Sequence, residues 1–213
     1  MSPPEPPKGG ALAWDHRYRE GTDAWELGQP APPLQAFLQH HALAPEPPGR
    51  VLVPGCGRGH EAALLAAAGF AAVGLDFSAA ALAEAERLHG SGPALQWLQA
   101  DLFDPAALAA AGLTPGSLQG VLEHTCFCAI DPSQRSTYLT TVQELLAPGG
   151  WLLGLFWCHP RPGGPPYGAE AWALARQFEQ AGFSKVCWEA AVGSASGRNG
   201  QPRDHEWLGL WRR

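Results

Sequence analysis

The sequence predicts an α/β fold, a doubly wound and mostly parallel sheet, on three observations. From Arg50 onward short apolar runs alternate with helical segments of about 10 to 15 residues, the pattern of strands joined by crossover helices. The first apolar run ends in a turn with three glycines, Pro54-Gly55-Cys56-Gly57-Arg58-Gly59. The next run ends in an acid, Asp76, about 20 residues beyond that turn, where nucleotide-binding sheets of this type hold a ribose.

In chain order, residues 2–10 are a Pro/Gly-rich tail, and Trp14 to Gly28 is aromatic and charged without a clear period. Residues 1–28 therefore read as an N-terminal arm on a single domain of residues 29–213. Leu34, Phe37 and Leu38 have helical spacing within Pro32 to His41, and the Pro45 to Pro48 cluster ends that helix. Arg50 to Pro54 is a short buried strand, His60 to Ala68 an Ala/Leu helix closed by Gly69, and Ala71 to Asp76 a second strand. Ser78 can cap a helix running to about Leu88, with Glu84 and Glu86 outward, before a strand at Leu95 to Ala100. Leu118 to Glu123 is the fourth strand. Ser133 to Leu146 is a helix stopped before Pro148-Gly149-Gly150, and Trp151 to Trp157 is a continuous apolar strand. A helix over Glu170 to Ala181 ends at Gly182. The strand Phe183 to Val192 then joins Glu206 to Trp211 through the Gly/Asn-rich stretch 193–203, a closing hairpin that adds an antiparallel strand at one side. The sheet is thus seven-stranded, with its ligand crevice at the carboxyl ends of the first strands.

Composition narrows the function. The 213 residues suit one domain with a sizeable core, and 46% hydrophobic against 16% charged residues is globular. A net charge of −6, with no Lys/Arg run longer than a pair, gives no basis for sustained contact with nucleic acid. The longest apolar stretches are too short to cross a bilayer, and the Pro-rich start lacks a signal-peptide core, so a cytoplasmic protein without a membrane partner is expected. The acidic, unpatterned surface gives no sign of an obligate dimer, and a monomer is expected. Five cysteines with no CxxC pair predict reduced thiols, and Cys126, Cys128, Cys158 and His159 do not have a recurring zinc spacing, so no metal is expected.

The chemistry concentrates at strand ends. Glycines at 55, 57 and 59 allow a sharp turn and close approach of a ligand to the backbone; a tight turn without a ligand would look similar. Asp76 can accept two hydrogen bonds from the cis hydroxyls of a ribose, or simply cap the following helix. Asp101, Leu102 and Phe103 can meet an adenine's amino group and face, and Glu123 and His124 bring polar groups to the same edge. GxGxG in place of GxGxxG, with no Walker lysine, favours a nucleoside ligand without phosphates.

With these segments in order, the chain resembles the thiopurine methyltransferase superfamily, and within it the thiol, thiocyanate and halide methyltransferase branch. The matching text is Trp14-x-x-x-Tyr18, Asp23 to Pro30, Leu52 to His60, Val73 to Ser78 and Phe127 to Pro132. The resemblance implies a class I, Rossmann-like fold whose arm closes over S-adenosylmethionine, methyl transfer from that cofactor, and no metal. By position it implies a cofactor site of Trp14, Trp25, Gly55, Asp76 and His124; residue chemistry adds Gly57, Phe77, Asp101, Leu102, Phe103 and Glu123. Thiopurine members carry arginine, and halide and thiol members often tyrosine, where this chain has His124, which leaves the substrate open.

Trp14 and Trp25 can anchor the arm or lay an indole face near a sulfonium, worth roughly 0.5 to 2 kcal/mol; both can hold. Tyr18, Phe127, Trp157 and Tyr167, with His159, are the candidate substrate wall, although such aromatics also serve as core or lid packing. His124 is the catalytic candidate, able to bind an anion or take a proton from a neutral thiol, or else to contact only cofactor or backbone. The acceptor expected is a small thiol or anion: thiol, hydrosulfide, thiocyanate or halide. An aromatic thiopurine is the alternative, an NAD-dependent oxidoreductase the alternative from another enzyme class, and a non-catalytic binding protein on the same fold a third.

Overall fold

In a computed structural model of the chain, which describes residues 10–41, 43, 49–197, 200 and 203–213, the apolar runs pair into one seven-stranded sheet of order β3-β2-β1-β4-β5-β7-β6. The strands are β1 (Arg50–Pro54), β2 (Ala71–Asp76), β3 (Leu95–Gln99), β4 (Leu118–His124), β5 (Leu146–Trp157), β6 (Ser184–Ala190) and β7 (Glu206–Arg212). β1 to β5 run parallel, while β7 is antiparallel to both neighbours. The closing hairpin therefore inserts its last strand between β5 and β6, and β6 forms the edge. The order reverses between β1 and β4, which opens a crevice at their carboxyl ends. The Pro-rich tail, the Pro45 to Pro48 cluster and part of the 193–203 stretch lie outside the described residues.

Alternation along the strands sends side chains to two cores. Leu52, Val121 and Leu152 face α6 (Arg135–Leu145) and α7 (Ala171–Gln180), where Tyr138, Val142 and Phe178 are buried. Val51, Val53 and Leu153 face α2 (Pro32–His40) and α3 (His60–Ala67) through Leu34 and Leu65. α4 (Ala79–His89) starts as expected at Ser78, whose hydroxyl accepts the Ala81 N–H. Among the described residues no helix is long and apolar enough to cross a membrane.

Three local expectations need correction. The segment read as lacking a period contains α1 (Ala11–Glu20), bounded by Gly10 and Gly21. Its buried face carries Ala13, Asp15 and Tyr18, so a carboxylate stands where the apolar repeat would be sought. Asp15 is satisfied at the start of α4, accepting from Ser78 Oγ at 2.5 Å and Ala80 N–H at 3.1 Å. A short helix α5 (Pro105–Ala110) adds to the expected elements; Asp104 caps it by accepting the Ala106 and Ala107 N–H groups, and proline starts it. β5 begins at Leu146, five residues before the expected Trp151, because Leu146 pairs with Leu118 ahead of a register shift.

Candidate active site

The glycine turn leaves β1 with Gly55 and Gly57 in left-handed conformations, at φ 56° and 54°. Side chains are also excluded by space: a Cβ at Gly55 would lie 2.8 Å from Cys126 Sγ, and one at Gly57 2.7 Å from the Tyr18 hydroxyl. Asp76, at the tip of β2, is buried and accepts the N–H groups of Gly57 at 3.0 Å and Ser78 at 2.9 Å. Burial raises its pKa against the pull of those N–H groups. Each carboxylate oxygen keeps lone-pair capacity for a further donor.

The arm is fastened to this turn by charge. Arg58 meets Asp23 at 2.8 Å and Glu26 at 3.7 Å, and His60 meets Glu26 at 2.8 Å. That clamp sets Trp14 edge-on to Trp25 with ring centroids 5.1 Å apart and Tyr18 against Trp25 at 5.9 Å, while the Arg17 guanidinium lies 5.1 Å over the Trp14 ring.

Beneath the arm lies a cleft of about 700 Å³, a size that takes a drug-sized ligand. Of the expected cofactor residues, Trp14, Trp25, Gly55 and Asp76 line it, as do Phe77, Asp101 and Phe103. Tyr18, Trp157 and Tyr167 of the expected substrate wall line it too, and His159 joins them. The remaining candidates are placed elsewhere. Leu102 is buried in the core. Phe127 packs between Tyr138 and Phe156, at 5.3 and 6.0 Å, in the core that α6 and α7 cover. Glu123 is also interior, accepting from Phe127 N–H at 2.7 Å and facing the Tyr138 hydroxyl at 2.5 Å, and burial raises its pKa to about 7. It braces the turn from behind.

Gly57 and His124 open onto a separate polar side chamber of about 40 Å³, shared with Arg58, His60 and Glu61. His124 is committed on both ring nitrogens, with Nδ1 2.9 Å from Glu61 Oε1 and Nε2 3.3 Å from Arg203 Nη1. Burial pushes its pKa down, but the Glu61 carboxylate outweighs burial and leaves it raised. The guanidinium thus stands where a substrate would have to approach His124, and Arg203, not His124, lines the cleft. Arg203 also meets Glu206 at 3.3 Å and donates to the Trp25 carbonyl.

Sequence reasoning missed Arg203, which lies 79 residues beyond His124 in a stretch with no period. It also missed Thr125, the one described non-glycine residue at positive φ, 64°, which borders the cleft and the side chamber alike. No local signal marks either. Cys126 and Cys128 reach the cleft as thiols; burial raises both, Cys128 to about 12.

The strand order, the glycine turn and a carboxylate at the second strand tip define a class I, S-adenosylmethionine-dependent methyltransferase. The family model described as thiopurine S-methyltransferase (TPMT) matches residues 11–194. Thiocyanate methyltransferase 1 of Arabidopsis thaliana is 30% identical over 212 residues, covering 94% of this chain and 84% of that protein. The probable thiol methyltransferase 2 of the same plant is 30% identical over 209 residues, with the same coverage. The crystal structure of a Burkholderia thailandensis 1,6-didemethyltoxoflavin-N1-methyltransferase bound to S-adenosylhomocysteine shares the fold, with TM-score 0.71, 20% identity, and 95% of this chain and 86% of that one covered. The chain belongs to the thiopurine S-methyltransferase family, and S-adenosylmethionine is its cofactor. Membership sets aside the oxidoreductase alternative.

Proposed function

We propose that the enzyme transfers the methyl group of S-adenosylmethionine to a small soft nucleophile, a thiolate, hydrosulfide, thiocyanate or halide, by in-line displacement. The observation that carries this reading is a single cleft joining the Gly55/Asp76 strand tips to a wall bearing Arg203, Trp157 and Tyr167. The relatives named for thiocyanate and thiol methylation support the same acceptor class.

The residues present fit the cofactor. Asp76 would receive the ribose hydroxyls, Asp101 and Phe103 the adenine, and the Trp14 and Trp25 faces would stand near the sulfonium. The glycine turn admits a ligand where a Cβ would clash. The cofactor supplies an already activated methyl group, so this chain's part is to hold the nucleophile in line and exclude water. Closing the arm over the cleft serves the second task. Arg203, balanced by Glu206 beside it, brings guanidinium donors to the acceptor wall, and Glu61 and His124 act behind it as positioning residues. Anions that arrive ionised need no general base.

A second reading, an aromatic heterocyclic thiol as acceptor, is favoured by the cleft's volume of about 700 Å³ and by the family model. The test is S-adenosylhomocysteine formation with iodide, bromide, thiocyanate, sulfide, an aryl thiol and 6-mercaptopurine. Turnover of thiocyanate, iodide or sulfide is expected. Turnover of mercaptopurine alone would replace the first reading with the second.

A further inference from the structure

The arm brings a cation into the cleft. Trp14, Arg17 and Tyr18 stand at i, i+3 and i+4 of α1, so they share one helix face, and all three line the cleft. Asp15 ties the helix to Ser78 and Ala80, which fixes how that face is presented. Arg17 is half-buried, and its guanidinium lies 5.1 Å from the Trp14 ring centroid and 5.9 Å from that of Trp25. Two indoles thus restrain a side chain that would otherwise sample many rotamers.

No carboxylate of the described residues neutralises it. Arg19 meets Asp15, Arg58 meets Asp23 and Arg203 meets Glu206, whereas Arg17 has no ion-pair partner among the described residues. Three arginines line the cleft, Arg17, Arg161 and Arg203. Arg203 is balanced by Glu206, and Arg161 belongs to the loop after β5 that carries Tyr167. Arg17 stands on the arm, beside the two indoles placed near the sulfonium. Beyond its adenosine, S-adenosylmethionine carries an amino acid on that sulfonium, and the carboxylate of the amino acid is the cofactor's anionic group. Asp76, Asp101 and Phe103 account for the adenosine, and their two acids would repel a carboxylate. A guanidinium receives one through two parallel N–H donors.

We infer that Arg17 binds the α-carboxylate of S-adenosylmethionine, so that the amino-acid end of the cofactor fastens the arm from inside the cleft. The arm then selects the intact cofactor, and its product S-adenosylhomocysteine, over adenosine thioethers that lack the carboxylate. This inference concerns the cofactor and holds for any acceptor. It rests on the placement of the adenosine at Asp76 and Asp101 proposed above.

The test is calorimetric titration of wild type, Arg17→Met and Arg17→Lys with S-adenosylhomocysteine and with its decarboxylated analogue, which keeps the thioether and the amine. Losing charged hydrogen bonds should weaken S-adenosylhomocysteine about 10- to 100-fold in Arg17→Met, with the analogue moving less than about threefold. Wild type should itself prefer S-adenosylhomocysteine to the analogue, and Arg17→Met should lose that preference. Arg17→Lys, which keeps the charge, should retain part of it. Should Arg17→Met fail to fold, Arg17→Gln gives the same comparison. Asp76→Asn should weaken both ligands alike; if it weakened neither, the placement of the adenosine would be wrong, while the preference would still report on Arg17. Equal weakening of both ligands in Arg17→Met would overturn the inference and leave Arg17 as a brace for the indoles. Unchanged affinity for both would overturn it too, and a raised KM for thiocyanate in that variant would assign the guanidinium to the acceptor instead.

Discussion

At one end of the cleft, Gly55, Asp76 and Asp101 stand within two residues of the tips of β1, β2 and β3, and backbone N–H groups fix the one buried carboxylate. At the other, Trp157 comes from β5, Tyr167 from the loop after it and Arg203 from the approach to β7, and side chains fix one another through the Glu61–His124–Arg203–Glu206 chain. The first end is a property of local sequence, since a strand followed by glycines or an acid places its groups by backbone geometry alone. The second exists only once the chain has folded, and it is the end at which members of one family can come to accept different substrates.

The largest expected effect breaks the two ends apart. Asp76→Asn removes a charged acceptor at the cofactor end and should weaken S-adenosylmethionine binding about 100-fold by calorimetry. Arg203→Met should do the opposite, raising acceptor KM about 10-fold or more while cofactor affinity falls far less. It should also lower stability by about 3 kcal/mol in urea denaturation, because the buried Glu206 carboxylate loses its cation. Adding Glu206→Gln to Arg203→Met should restore part of that stability. If Arg203→Met weakened cofactor binding as much as acceptor binding, the division of the cleft would be wrong.

The same division explains what the sequence made legible. All seven strands were readable from apolar runs, and most of the cofactor candidates that line the cleft from the motifs that end them. Leu102 and Phe127 were misplaced because an apolar residue beside a strand tip can turn inward or toward the ligand, and only packing decides. His124 was located correctly on β4, but its engagement by Glu61 and Arg203 is a matter of residues 63 and 79 positions away. α1 was hidden by Asp15, a polar residue on a buried face that is satisfied 63 positions later at Ser78.

Glu123 braces the turn after β4 from behind the cleft, and its pH behaviour sharpens the comparison. Burial lifts it from 4.5 to about 7, against the Phe127 N–H and the Tyr138 hydroxyl. The folded state therefore holds a proton that the unfolded chain releases between those values, so stability falls as pH rises through that window. The full difference is on the order of 3 kcal/mol. Glu61 works the other way, whereas His124 acts in the same direction as Glu123 at higher pH. The lowered pKa of Glu61 contributes stability above its ordinary 4.5, lost as pH falls through its folded value, and the raised pKa of His124 contributes below its ordinary 6.5, lost as pH rises through its folded value. Denaturation of wild type and Glu123→Gln at several pH values should isolate the first term: the variant should lack the fall between about pH 4.5 and 7. Parallel curves would mean that Glu123 is ionised throughout.

The smallest effect concerns Thr125, at the boundary between cleft and side chamber. A β-branched residue at φ 64° is held in a conformation that costs about 1 to 3 kcal/mol, and its hydroxyl donates to the His124 carbonyl at 2.7 Å. Glycine adopts the same φ freely but makes the unfolded chain more disordered by roughly 0.5 to 1 kcal/mol. Relief should exceed that cost, so Thr125→Gly should gain about 1 kcal/mol in urea denaturation. If the strain serves the site, the gain should come with a few-fold fall in kcat/KM for the acceptor, because the turn that carries Cys126 and Cys128 to the wall is no longer held in one conformation. A variant both more stable and equally active would show that the strain at Thr125 is incidental to the acceptor end, leaving Arg203 and the residues beyond β5 to shape it.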